Sequence, residues 1–426
     1  MKKIVLLLLS LALCFALAAC GGQSAPAQTP EPTPEPTPEA TPEPTPEPTP
    51  QLFQFPDGSS HYDDETELSL PELTSAQVDT VLPYLEQMPE LRFVDLGNNF
   101  DDGEEPRLSW AAIRKLQEAR PDVDFLYTFE FFGYDFTTLD TMLDFNHFTM
   151  YDEGAAVKEM LPCMTKCTTL DMDSCNVSSE AMAEIRDAYP DINVIWRIWF
   201  GTNCSIRTDA ERILASNLDH HLTDENTKDL KYATKIKYID IGHNTDLHDI
   251  SFLGYMPDLE VAVIAICPWR DLSPLANCKN LEYLECSEYF LEPGEVTDLA
   301  PLGELPNLKE LDICKMWHVK NYEALKKLTT LDRLWIGCYT DIPAEFIPEL
   351  QEALPNTEIN TTEQTGSIGT WRYNADGSNK PRYALLREQF QYEYYTAVSS
   401  YFANDPLFYS HDDNRTKHVD PEPQVQ

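Results

Sequence analysis

Five carboxylates stand at one recurring place in this chain. Asp95, Asp171, Asp240, Glu285 and Asp312 each sit between two apolar residues in stretches of like pattern, and Val263 and Trp335 fill the two remaining equivalents. Acids make up 72 of 426 residues, a proportion that would put about one among seven positions. A row of carboxylates attracts cationic groups. The column on one side holds Tyr238 and Tyr283; the column on the other is mostly small, with Gly97, Gly242, Ala265 and Ser287. Acids beside aromatic rings suit an extended cationic ligand such as a peptide, since the ring faces also attract cations. Stacked like charges would cost the sheet some stability. Asp95, Asp171, Asp240, Tyr238, Tyr283, Glu285, Asp312 and Trp335 are the candidate ligand-binding residues.

Other groups with chemical potential are less well placed. His220, His221, His243 and His248 lie near Asp219 and Asp249 in sequence, but on different loop and strand positions, and are expected as solvated side chains rather than metal ligands. Asp101, Asp102, Glu104 and Glu105 do not follow the order of a calcium loop and read as a solvated charge run. Cys163 and Cys167 are spaced CxxxC, which is neither a zinc nor a redox spacing. GxSxG, HExxH, the Gly-Lys phosphate loop and GxGxxG are all missing. The chain therefore reads as non-catalytic, with no cofactor and no metal.

The elements that would position the column come from a repeat. Its copies begin at Ile236 (IKYIDIGHN), Leu259 (LEVAVIAIC), Leu281 (LEYLECSEY), Leu308 (LKELDICKM) and Leu331 (LDRLWIGCY), spaced 23, 22, 27 and 23 residues apart. Outlying copies begin at Leu91 (LRFVDLGNN) and Cys167 (CTTLDMDSC). A unit this short cannot bury its own apolar face, so neighbours must stack into a continuous core. The pattern LxxLxLxxN/C resembles the leucine-rich repeat, and the intervening DLSPLANC and DLAPLGEL segments resemble its internalin type. That resemblance implies an α/β solenoid, a horseshoe with a parallel concave sheet and with helices and 3₁₀ turns on the convex side, here over residues 61–361. It also implies a ladder at the ninth position. Asn99, Cys175, Asn244 and Cys267 stand there, then Tyr289, Met316 and Tyr339, so the ladder is expected to fade. A longer repeat, Ile113–Val123, Met182–Ile192 and Ile347–Thr357, predicts amphipathic helices ended before proline. Helices are also expected at Ser75–Met88 and Glu153–Met164, and aromatic strands at Asp124–Phe132 and Asn193–Phe200.

The flanks give a location. Lys2 and Lys3, an apolar run from Ile4 to Leu17, then Ala18 and Ala19 form an export signal. With Cys20 directly after, the stretch resembles the lipobox of bacterial lipoproteins. That implies cleavage after residue 19, diacylglycerol on Cys20 and anchoring on the outer face of the cell membrane. The Thr-Pro-Glu-Pro run from Thr29 to Pro50 is expected as an extended spacer, reaching about 70 Å at ~3.1 Å per residue, within a disordered stalk spanning 20–60. Residues 362–408, rich in aromatics, are expected to cap the last coil, and 409–426 to be disordered.

A formal charge of −41 opposes nucleic acid as a partner. The sequence thus predicts a lipid-anchored surface module that binds an extracytoplasmic protein, peptide or wall ligand, cationic if the acidic column is used. The alternatives are an enzyme with its site in the non-repeat loops at 133–152 or 202–235, or a structural spacer.

Overall fold

The computed structural model describes residues 49–362, 371–390 and 408–410, apart from 57, 99–105, 147, 203, 217–220, 270, 288–296 and 338. The signal, Cys20, the stalk to Glu47, the acidic run at 101–105, Asn99, Asp219, His220, Tyr289 and the tail from 411 lie outside the described residues.

Folding begins earlier than the expected stalk boundary at residue 60. Strand β1 (Leu52–Gln54) pairs with β2 (Ser60–Tyr62). Phe53 and Phe55 are buried, each 5.3 Å from the Tyr84 ring. Once the prolines stop, two phenylalanines supply apolar surface worth burying.

The N-terminal half uses helices on its convex side and interrupts its sheet. Strands β3 (Glu67–Ser69), β4 (Phe93–Asn98) and β5 (Asp124–Phe131) run parallel, and β6 (Tyr134–Thr137) folds back antiparallel on β5. A second parallel sheet joins β7 (Met142–Asp144), β8 (Thr169–Asp171) and β9 (Asn193–Ile195). The aromatic strand expected over Asn193–Phe200 breaks at Trp196. Its second part, β10 (Arg197–Phe200), forms an antiparallel hairpin with β11 (Cys204–Arg207). The helices are α1 (Val78–Leu85), α2 (Trp110–Ala119), α3 (Ala155–Met160) and α4 (Ser179–Ala188). Helices α2 and α4 start at Ser109 and Ser178, whose hydroxyls accept the amides of Ala112 and Ala181. Both stop two residues short of a proline, which disfavours helical backbone at the residue before it.

The C-terminal half is regular. Strands β12 (Arg212–Leu214), β13 (Tyr238–Asp240), β14 (Val261–Val263), β15 (Tyr283–Glu285), β17 (Glu310–Asp312), β19 (Arg333–Trp335) and β20 (Glu358–Asn360) form one parallel seven-stranded sheet in that order. Between them, β16 (Thr297–Asp298) and β18 (Val319–Lys320) make a separate two-stranded ladder. The inward residues pair strand to strand: Ile213, Ile239, Ala262, Leu284, Leu311, Leu334 and Ile359. All but Ile359 are buried, each large aliphatic rung contributing about 1.5–3 kcal/mol. The convex side carries 3₁₀ turns at Lys228–Tyr232, Ser251–Tyr255, Ser273–Asn277, Ala300–Glu304 and Tyr322–Lys327, then helix α5 (Phe346–Ala353). This is a leucine-rich repeat solenoid.

The ninth-position ladder holds where Asn and Cys stand, as expected, and is replaced at one of the later coils. Asn244 donates to the Ala215 carbonyl of the preceding coil at 2.9 Å, and Cys267 and Cys175 donate to the equivalent carbonyls of Ile241 at 3.2 Å and Phe145 at 2.9 Å. Where Tyr339 stands at the ninth position, Thr340 takes over one residue later, donating to the Ile313 carbonyl at 2.9 Å. The buried backbone acceptor must be met, and any short donor within reach meets it.

The expected cap does something else. Residues 371–390, including helix α6 (Pro381–Phe390), lie across the concave sheet rather than over the last coil. Beyond them β21 (Phe408–Ser410) adds antiparallel to β11, so Tyr409 and Ser410, expected in a disordered tail, are strand residues. An open coil end exposes limited apolar area, whereas a concave face lined with acids and aromatics attracts a segment of the opposite charge. Four basic and two acidic residues give 371–390 a net +2 in a chain of −41.

Candidate functional site

The acidic column divides by side-chain length. Each aspartate turns its Oδ1 back on the amide two residues ahead: Gly97 to Asp95 at 2.8 Å, Asp173 to Asp171 at 3.0 Å, Gly242 to Asp240 at 3.1 Å and Cys314 to Asp312 at 3.0 Å. Asp144 and Asn360 do the same for Asn146 and Thr362. These are Asx turns, in which a short polar side chain satisfies an amide that leaves the ladder. Most of the column is therefore explained by how the strands end. Glu285, one methylene longer, makes no such bond and is free for other work.

Glu285 is the anchor of the concave face. Its Oε1 accepts the Trp371 indole N–H at 2.6 Å, Arg372 Nε at 3.2 Å and the Tyr283 hydroxyl, and its Oε2 accepts Arg372 Nη2. Burial would raise its pKa, but the Arg372 guanidinium outweighs burial and holds it below the usual carboxylate range. Around it, Trp371 lies 5.6 Å from both the Tyr283 and Trp335 rings. Arg333 packs over the rings of Trp371 at 4.5 Å and Trp335 at 4.9 Å, and donates to Glu310 and to the Trp371 carbonyl, both at 2.9 Å. Arg382 reaches Glu282 at 3.3 Å, and Phe390 meets Tyr238 edge-on at 6.4 Å.

Asp312 lies next to Glu285 in register, and Trp335 next to Asp312. Both are fully buried; Asp312 is met by the neutral groups of Cys314 and Ser287 and by no cation among the described residues, and Trp335 Nε1 finds no hydrogen-bond partner among them. Burial, then the charge of Glu285, pushes the Asp312 carboxyl up to about 7.

Of the candidate residues, the structure thus brings Tyr283, Glu285, Asp312 and Trp335 together and covers them with the chain's own segment. Asp240 borders a cleft of about 270 Å³ left open between β13, β14 and α6, lined also by Gly242, His243, Val263, Ala265, Arg372, Tyr383 and Arg387. Asp95 and Asp171 belong to the other half, away from this group. Sequence reading missed Trp371, Arg372, Arg382 and Arg333 as members of the site. The signal available was the local reversal of charge at 371–390, basic residues among aromatics in an acidic chain.

Asp171 has its own partners. Arg207 donates to Asp171 Oδ2 at 3.0 Å, and Arg197 and Arg207 both reach Asp173, Arg197 through Nε at 2.7 Å. Asp173 and Arg197 are almost wholly buried. Burial opposes ionisation of Asp173, but the two guanidinium groups prevail and hold its pKa down. Asp171, where burial dominates, is raised.

Elsewhere, a cavity of about 520 Å³ lies beside the β10–β11 hairpin, lined by Trp199, Thr202, Glu225, Asn226, Lys228 and Asp229. The buried Cys204 also lines it, and Lys228 is bonded to Glu225 at 2.7 Å. His221 and His248 lie beside Asp246 and Asp224, and His243 is exposed on another loop, so the histidines do not converge. The eight described cysteines are buried. Burial pushes Cys163 up to about 11 and Cys175, Cys267 and Cys278 to about 12, so they are poor nucleophiles. No helix among the described residues is long and apolar enough to cross a membrane.

No family model and no curated protein matches this chain. Among solved structures it is similar to internalin C2 of Listeria monocytogenes, at 16% identity over 52% of this chain and 80% of that one, TM-score 0.28. It is similar also to a leucine-rich repeat protein of Leptospira interrogans, at 16% identity over 65% and 74%, TM-score 0.31. A third is the Arabidopsis receptor kinase HAESA, solved with the peptide hormone IDA and the co-receptor SERK1, at 15% identity over 36% and 26%, TM-score 0.29. The fold assignment rests on strand register and turn type, independently of these similarities.

Proposed function

We propose that this protein is a lipid-anchored, cell-surface leucine-rich repeat module that binds a protein, peptide or wall ligand on its concave face and performs no chemistry itself. The observation that carries this reading is the segment 371–390. Its contacts are those of a recognised peptide: an arginine forked on Glu285, an indole donating to the same carboxylate, and a main-chain carbonyl held by Arg333. A face that selects these groups from its own chain is built to select them from another. The export signal and Cys20 support a location outside the cytoplasm, and the net charge favours a basic partner.

The test is capture of partners from an extracytoplasmic fraction on immobilised full-length protein, compared with Arg372→Gln, which frees the face. Increased capture by the variant, lost again with Glu285→Gln, is the expected result. Capture indifferent to both changes would sink the concave reading, and no capture at all would favour a spacer. In the same cells, Cys20→Ser should shift the protein from the membrane fraction to the soluble one.

A further inference from the structure

The segment that covers the concave face leaves its centre incompletely matched. Glu285 and Asp312 stand on neighbouring strands in register, one strand spacing of ~4.8 Å apart. The resident segment brings Arg372 to the first and, among the described residues, pairs no cation with the second. Beside Asp312 an indole donor, Trp335 Nε1, is likewise left without an acceptor. Buried polar groups are ordinarily paired and buried carboxylates ordinarily meet a cation, so a buried acid met by neutral groups alone, beside an indole N–H without an acceptor, marks where a better ligand would bond.

Resting on the binding-module reading above, we propose that the concave face takes a polypeptide with two adjacent basic side chains, one for Glu285 and one for Asp312, and that residues 371–390 are its built-in competitor. Tyr283 and Trp335 flank the two acids, and their rings already hold cations here, Arg382 at the first and Arg333 and Lys380 at the second. Glu282 and Glu310, each already meeting an arginine, extend the acidic surface on the same strands. The resident segment pairs Arg372 with Glu285 but, among the described residues, forms no ion pair with Asp312, its Lys380 and Arg382 lying instead 5.9 Å from the Trp335 and Tyr283 rings. It shields Glu285 but leaves Asp312 raised toward neutrality, and a second cation would return Asp312 to full ionisation.

The experiment measures fluorescence anisotropy of two labelled peptides, GWRRYG and its single-arginine counterpart GWRQYG, on full-length protein in detergent. Trp371→Ala combined with Arg372→Ala should bind GWRRYG at least tenfold more tightly than the native protein does. It should also prefer GWRRYG to GWRQYG at least tenfold, and added Asp312→Asn should erase that preference while leaving GWRQYG affinity unchanged. Arg372→Gln alone, which keeps the Trp371 packing, serves if the double variant does not fold, and should show the same trend. Equal binding by native and released proteins would show that the segment is no competitor. A released protein without preference for two arginines, or one whose preference survives Asp312→Asn, would overturn the ligand class. If such a protein still captures a partner through Glu285, the module reading stands and only this inference falls.

Discussion

The two halves of the solenoid bury concave carboxylates in different ways. In the N-terminal half, Asp171 and Asp173 are met by Arg197 and Arg207 from the β10–β11 hairpin, which follows within 24 to 36 residues and is continuous with the coil beneath. In the C-terminal half, Glu285 is met by Arg372, 87 residues away, on a segment that contributes no strand to the seven-stranded sheet. Both arrangements pay the desolvation of a carboxylate with a guanidinium. The first cannot be undone without breaking the coil, because Arg197 and Asp173 are core residues. The second can be undone by lifting one segment, which re-exposes both charges to water. The two ion pairs thus differ less in chemistry than in what the arginine is attached to.

The largest effect should come from breaking the fixed network. Arg197→Ala leaves Asp173 buried with one partner fewer and should cost about 3–5 kcal/mol in denaturant unfolding. A loss under 1 kcal/mol would show that the N-terminal half rearranges as freely as the other.

Asp312→Asn should act in the opposite direction. The folded carboxyl titrates at about 7, above its ordinary 3.8. Between these values the unfolded chain releases a proton that the folded one keeps, so native stability falls as pH rises from 4 to 7. Asparagine can still accept the Cys314 amide and has no charge to desolvate. It should therefore raise stability by on the order of 2–4 kcal/mol at pH 8 and leave it unchanged near pH 3. Melting curves across this range decide it, and a variant no more stable at pH 8 than the native protein would refute the burial argument.

Arg372→Ala should have the smallest effect, about 1–2 kcal/mol, because Glu285 can regain water when the segment lifts. Its signature is local: faster hydrogen exchange at 371–390 with the rungs at Leu284 and Leu311 still protected. Losses as large as those from Arg197→Ala would erase the contrast between the halves.

Several features were legible because they are local. The spacing of Leu284, Leu311 and Leu334 predicted rungs that the strand register reproduces. The helices ended where proline requires. The ladder at the last coil escaped notice because its donor was sought at a fixed position, whereas Thr340 meets the equivalent carbonyl from the next one. An Asx turn and a binding carboxylate look alike in sequence, so the pattern alone could not tell that the aspartates of the column also end their strands. Only Glu285, the odd member of the acidic set, lacks the turn.

The sequence by itself determined the solenoid, since one apolar residue at each inward position is a short-range periodic code that stacking must satisfy. Only the tertiary structure decided which carboxylates meet an arginine of the neighbouring hairpin, which meets one from a distant segment and which meets neutral groups alone. Neutralising a buried charge takes a cation within a few ångströms, and here that cation comes from a hairpin in one half and from the far end of the chain in the other. No local pattern around Glu285 or Asp312 records which arginine will arrive.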